Sequence, residues 1–265
     1  MIQSIDRAAQ VLQSLAGARR LGITEIGERL NLPPSTVHGI VKSLAMHGLV
    51  AKEPGGSWYM LGPALLRLSN VFLDTHEVRL RSLRWVDELS RRTGHAIRVG
   101  VELFDDVMVV HHATRSDGSQ QMAETGISIP AHACAMGKVL MAYDVARVEA
   151  DPADPGREAE PLRRLTNTTV TDPGELRAEL DKVQQTGLAF EREESVIGDS
   201  GMAVPLVDRR DQVVAALAVV IPESQWPDRP QLDEVIDDLR EAARGISREL
   251  GASRWPPPVD DGASG

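Results

Sequence analysis

The chain has 265 residues, a formal charge of −10, a single cysteine, and only four Trp, two Tyr and three Phe. That length predicts two domains, each able to bury its own core. The lone Cys134 excludes an internal disulfide and a cysteine-based zinc site, and the shortage of aromatic rings argues against a stacking platform for single-stranded nucleic acid. An acid at Asp6, with no apolar stretch long enough for a signal segment or a membrane span, predicts a cytoplasmic protein without a membrane partner.

Charge is better counted by region, because attraction to phosphates acts mostly within a Debye length. Residues 1–62 carry Arg7, Arg19, Arg20, Arg29, Lys42 and Lys52 against Asp6, Glu25, Glu28 and Glu53, a balance of +2 that leaves −12 on the rest. A mildly basic head can meet a duplex while an acidic body is repelled from it.

Ile5, Ala8, Ala9, Leu12 and Leu15 recur at spacings of three and four, which predicts a first amphipathic helix. Thr24 sits where an N-cap belongs, and Ile26 and Leu30 give a short second helix one buried stripe. Pro33-Pro34 must end it, since proline brings no amide donor, and Pro34 suits the first turn of a third helix buried through Val37, Ile40, Val41 and Leu44. Leu49–Lys52 and Ser57–Leu61 flank Glu53-Pro54-Gly55-Gly56, the chemistry of a hairpin. Three short helices followed by a hairpin make a winged helix-turn-helix.

Two further helices are expected from Pro63 to Arg92, interrupted near Asp74-Thr75-His76-Glu77. Ile97–Leu103 alternates strictly and Val107–Val110 pairs with it across Asp105-Asp106, so an antiparallel sheet begins there. Met202–Val207 and Val213–Ile221 are two more strands. The second is apolar throughout, as a central strand covered on both faces is. Leu232, Val235, Ile236, Leu239, Ala243, Ile246 and Leu250 share a helical face, and Asp151–Glu160 reads as a surface loop. The fold class is α+β: a winged helix-turn-helix at 1–62, linker and dimerisation helices at 63–93, a GAF-like α/β domain at 94–252 and a disordered tail at 253–265.

In a helix-turn-helix the second helix of the motif reaches the major groove, which makes Ser35, Thr36, His38, Lys42 and Ser43 the readers, with Lys52 and Ser57 on the wing. Arg19, Thr24, Pro34 and Gly39 complete the DNA-contacting set. Polar residues also coat any solvated helix face; the following hairpin and the charge split favour DNA. Elsewhere, Cys134 beside His132 or His112 could be an activated nucleophile of a hydrolase, although a buried structural cysteine is commoner. His111 and His112 with Glu124 could hold a metal, but neighbours in a strand point to opposite faces. Glu191, Glu193 and Glu194 alternate imperfectly on a strand edge and make a weak case for glycoside hydrolysis. No phosphate-cradling glycine loop occurs. The reading has no catalytic residue, no metal and no cofactor.

Ile2–Ala8, Leu32–His38 and Tyr59–Gly62 resemble the DNA-binding part of the isocitrate-lyase-regulator (IclR) type of transcription factor, and Pro130–Leu140 and Gly187–Glu194 resemble its two effector-domain signatures. The likeness spans about residues 2–252 and implies a homodimer or dimer of dimers on a near-palindromic double-stranded operator, controlled by a small metabolite. It also implies an effector site at Ala135, Met136, Glu191, Gly201, Ala218 and Val220, with His132 either contacting the ligand or capping the helix near Ala133. Relatives that take keto acids carry Ser or Cys at several of these positions, so a less polar effector, or one held by backbone amides and Glu191, is expected here. Gly39 stands where many relatives have arginine. Within the family, Cys134–Asp144 and Leu73–Val78 are most similar to regulators of glycerol use, which implies glycerol or glycerol 3-phosphate as effector.

Overall fold

In a computed structural model, which describes residues 2–115, 122–144 and 161–256, the chain separates into two units, Met1–Thr75 and His76–Gly265. The expected linker at 63–93 is thereby divided, one helix going to each unit. The loop expected at 151–160 lies outside the described residues, as does the chain from 257 onward.

In the first unit, helix α1 (Gln3–Ala18) buries Val11 and Leu15. The core reaches back only to Ala8, so Ile5, expected on the buried face, is exposed. A two-residue strand, β1 (Leu21–Gly22), precedes α2 (Ile23–Leu30). Gly22, not Thr24, caps α2: the Glu25 carboxylate accepts from the Gly22 amide at 2.7 Å, and Thr24 falls inside the helix, exposed. Asn31 adopts a left-handed φ of 51°, Pro33 caps the next helix, and Pro34 opens α3 (Pro34–Met46). A Cβ at Gly27 would stand 2.8 Å from the Leu32 carbonyl oxygen, so glycine is what lets α2 approach this turn. Strands β2 (Val50–Lys52) and β3 (Trp58–Leu61) form the wing hairpin, and β1 joins it on the far side in the order β1-β3-β2. Val37, Val41 and Leu44 of α3 close the core with Ile26, Leu21 and Val50. The last helix of the unit, α4 (Ala64–Thr75), has no buried residue.

The second unit starts at α5 (Glu77–Thr93), capped by His76, whose Nδ1 accepts from the Arg79 amide at 3.4 Å. Strands β4 (Ala96–Leu103), β5 (Asp106–Ala113), β6 (Ser128–Pro130), β7 (Ala189–Arg192), β8 (Asp199–Val207) and β9 (Val213–Pro222) make one antiparallel sheet in the order β6-β5-β4-β9-β8-β7. The run that is apolar throughout is indeed internal: β9 lies between β4 and β8.

The two faces of this sheet differ in side-chain size. On one, Ile97, Val99, Met202, Val204, Leu217 and Val219 pack with α5 and α8 (Arg229–Glu249), and Trp85 donates to Glu249 Oε1 at 2.7 Å. On the other, Ala189, Ala203, Ala216 and Ala218 lie under α6 (Ala135–Ala142), beside which runs α7 (Pro173–Thr186). Small residues let α6 come close. Its Gly137 has no room for a side chain, since a Cβ would stand 2.1 Å from the Ala131 carbonyl oxygen in the 3-10 turn Ala131–Ala133.

The chain after 252 was expected to be disordered from its first residue, yet Ser253 Oγ donates to Asp211 at 2.6 Å and Trp255 Nε1 to the Pro205 carbonyl at 2.9 Å. Trp255 also packs on the main core, and that burial holds residues whose proline-rich composition alone reads as a loose end.

Candidate DNA interface and effector face

On α3 the buried positions fall on one side and the polar ones on the other. Ser35, His38, Gly39, Lys42 and Ser43 are exposed and Thr36 is half-buried, opposite Val37, Val41 and Leu44. Pro34 at the first turn, with Arg19, Thr24, Lys52 and Ser57, is exposed as well. Each site residue expected in this unit therefore lies on its surface. Nothing stands within 4 Å of where a Cβ on Gly39 would be, so that spot on the helix is open. The wing is fastened by Arg20, which pairs with Glu53 at 2.9 Å and lies over the Trp58 ring at 5.6 Å. Arg20 is thus committed to holding the hairpin.

The expected effector positions converge on the small-residue face of the sheet. Glu191 is in register with Gly201, Gly201 with Val220, and Val220 with Ala96; in the next row Ala203 pairs with Ala218 and Ala218 with Arg98. Alternation along a strand then puts Glu191, Gly201, Ala218, Val220 and Arg98 on one side. Ala135 and Met136 begin the helix that covers it, and the Met136 sulfur lies against Gly100. His132 is buried, and its Nε2 is 2.9 Å from the Arg163 carbonyl oxygen. It does not cap α6. Cys134 does, accepting from the Gly137 amide at 3.4 Å.

The charges on this face were only partly visible in advance. Glu191 and Glu194 are both buried and Glu193 is half-buried. Buried Lys138 on α6 bonds Glu194 Oε1 at 2.6 Å, Glu179 Oε2 at 2.7 Å and the Phe190 carbonyl at 3.3 Å. The hydroxyls of Thr166 and Thr169 donate to the Glu193 and Glu194 carbonyls, each at 2.7 Å. Burial pushes the Glu191 carboxyl up to about 7, reinforced by the Glu194 carboxylate and opposed by the Glu194 amide, Lys138 and Arg98. Arg98 itself, buried on β4, makes a two-pronged contact with Glu124 at 2.5 and 2.8 Å. Sequence reasoning missed Arg98, because an arginine between two aliphatics in an alternating strand reads as solvent-facing.

The competing chemistries lose their footing. Burial raises the Cys134 thiol to about 12, so it is protonated at neutral pH and not the thiolate a cysteine hydrolase needs. His112 Nδ1 accepts from the Glu124 amide at 3.3 Å and its Nε2 lies 3.5 Å from Glu124 Oε2. His111 is in register with Val99 and His112 with Arg98, so the two rings leave opposite faces. Burial lowers both histidines below the usual imidazole range. Among the described residues no helix is long and apolar enough to cross a membrane.

Comparison with known proteins agrees with this geometry. Residues 4–54 match the IclR helix-turn-helix domain and residues 71–248 the bacterial transcriptional regulator IclR C-terminal domain. The chain is 40% identical over 257 residues to the glycerol operon regulatory protein of Streptomyces griseus, covering 96% of this chain and 98% of that one, and equally so to its counterpart in Streptomyces coelicolor. Among solved structures, an IclR transcriptional regulator from Alicyclobacillus acidocaldarius superposes with a TM-score of 0.80 at 26% identity, covering 95% of this chain and all of the other. An IclR homologue from Microbacterium hydrocarbonoxydans complexed with 4-hydroxybenzoate superposes with 0.74 at 25% identity, covering 94% and 100%. With an N-terminal helix-turn-helix and family models matching most of its length, the chain belongs to the IclR family of bacterial transcriptional regulators.

Proposed function

We propose that the chain is a cytoplasmic repressor of a catabolic operon, acting as a homodimer or dimer of dimers on a near-palindromic operator and released by a small effector. The observation that carries this reading is the two-sided α3: aliphatics inside, and Ser35, Thr36, His38 and Lys42 presented outward with the close-approach position Gly39 among them. Ser35 and Thr36 hydroxyls reach base edges or phosphates, Lys42 neutralises a phosphate, and Arg19, Thr24, Pro34, Lys52 and Ser57 line the flanking contact.

Self-association is supported by α4, where Leu66, Leu68, Val71 and Phe72 are exposed on a helix with no buried residue. The relatives named for the glycerol operon support glycerol or glycerol 3-phosphate as effector. It would bind at Ala135, Met136, Glu191, Gly201, Ala218 and Val220, with His132 behind them. Binding there shifts the protein between states of different operator affinity.

The experiment is an electrophoretic shift with the chain's own upstream DNA across a salt series. Sequence-specific binding that weakens steeply with salt is expected; equal retention of unrelated duplexes would remove the regulatory reading.

A further inference from the structure

On the effector face, Arg98, a strongly basic group beside the expected ligand positions, is already paired with a carboxylate from its own chain. Arg98 sits in register with Ala218 on one side and His112 on the other. Its side chain is 9% exposed, whereas that of its partner Glu124 is 25% exposed. Glu124 belongs to no helix or strand. Its amide donates to His112 Nδ1 at 3.3 Å and its carbonyl accepts from the Ile127 amide at 3.0 Å, while its carboxylate takes the two bonds to Arg98 and lies 3.5 Å from His112 Nε2. The guanidinium is the inner, fixed partner, and the carboxylate is the outer one that a solute meets first.

Resting on the reading of this face as the effector site, we infer that Arg98 is an anion seat in which Glu124 stands in for the ligand, and that a small organic anion, a phosphate monoester or a carboxylate, takes its place. The planar fork of arginine suits two oxygens of either group. A buried guanidinium stripped of its counter-ion is heavily penalised, so an uncharged polyol cannot evict Glu124, whereas an anion replaces the charge it removes. The remaining pocket positions, Ala135, Met136, Gly201, Ala218 and Val220, provide apolar walls without side-chain hydrogen bonds. Asp199, 3.9 Å from Arg98 and 34% exposed, and Glu191 are the carboxyl groups that face the incoming ligand from β8 and β7. Held up to about 7, Glu191 is partly in its acid form at neutral pH and can donate to the anion instead of repelling it. Exchange also frees Glu124 from its fixed place. Two and three residues on, Gly126 and Ile127 are hydrogen-bonded to Val109 of β5, which holds the C-terminal side of Glu124 to the sheet.

The test is calorimetric titration of the full chain with glycerol 3-phosphate, glycerate, inorganic phosphate and glycerol, with no DNA present. At least one of the two organic anions is expected to bind, and glycerol not. Which one binds separates phosphate from carboxylate recognition. Arg98→Met should weaken that anion by about tenfold or more. Arg98→Lys, which keeps the charge and is the safer variant for folding, should weaken it by a smaller factor through loss of the fork. Glu124→Gln should tighten it by several-fold, because the competing carboxylate is gone, a gain that a purely structural ion pair does not produce. Glycerol binding that outcompetes both organic anions, anion affinity indifferent to Arg98→Lys and Arg98→Met, or a Glu124→Gln variant that binds no anion more tightly would each overturn the seat. None of these results bears on operator binding, which is measured separately, so the failure of this proposal and that of the regulator reading are distinguishable.

Discussion

Glu191 and Gly201 face each other across the β7–β8 pair, and the Glu191 carboxyl oxygen lies 3.6 Å from the place a Cβ on Gly201 would occupy. The Val219 carbonyl oxygen is closer still, at 3.1 Å. Gly201→Val should therefore displace Glu191 and strain the strand. A loss of about 1–3 kcal/mol in urea unfolding is expected, the usual range for overpacking. An unchanged midpoint would show that the carboxylate is not seated over this glycine.

The same carboxyl gives the second unit a pH signature. Its value when folded is about 7 against 4.5 as the ordinary reference. Because the folded value is raised, the stability it contributes is complete below about pH 4.5 and is lost as the pH rises through about 7. The Glu191→Gln variant is neutral throughout. Wild-type stability should fall relative to the variant between those limits, by a total on the order of 3 kcal/mol. Thermal unfolding of both proteins at a series of pH values would check this, and parallel profiles would contradict it.

Lys138 is 1% exposed and bonds two carboxylates, one of them the buried Glu194. Lys138→Met fills the same space but strands those charges, so a destabilisation of about 3–5 kcal/mol is expected. Adding Glu194→Gln should recover part of the loss. Chemical denaturation of the single and double variants measures both effects; a double variant no better than the single would mean that the packing, not the charge, matters.

Gly39 is exposed in mid-helix with open space around it. Gly39→Arg should firm the helix by about 1 kcal/mol and add one phosphate contact. In a shift assay, the slope of log affinity against log salt should steepen by about 1, and Lys42→Ala should flatten it by a similar amount. Slopes identical in all three proteins would place the DNA on another surface.

Much of this architecture could be read from the residues, for identifiable reasons. Pro33-Pro34 had to break a helix, Val37, Val41 and Leu44 had to share a face, and an unbroken apolar run at Val213–Ile221 had to be covered on both sides. Short pairing segments carry no such period: β1 and β6, of two and three residues, are made by their partners and not by their own pattern. Arg98 was hidden by a rule that holds when one face of a sheet meets water. Here both faces are covered, and the polar member of the alternation turns inward to a carboxylate 26 residues away. The helix cap at Gly22 was missed because its acceptor belongs to Glu25, three residues on, and not to the capping residue.

The solitary sulfhydryl has a use beyond capping α6. Cys134 is enclosed, and its proton is held up to about 12, so an alkylating reagent can reach a reactive form only when the start of that helix swings open. The chain thus carries its own single-site stopwatch: the labelling rate of the unmodified protein reports how often the start of α6 opens, and a ligand bound under that helix should slow it.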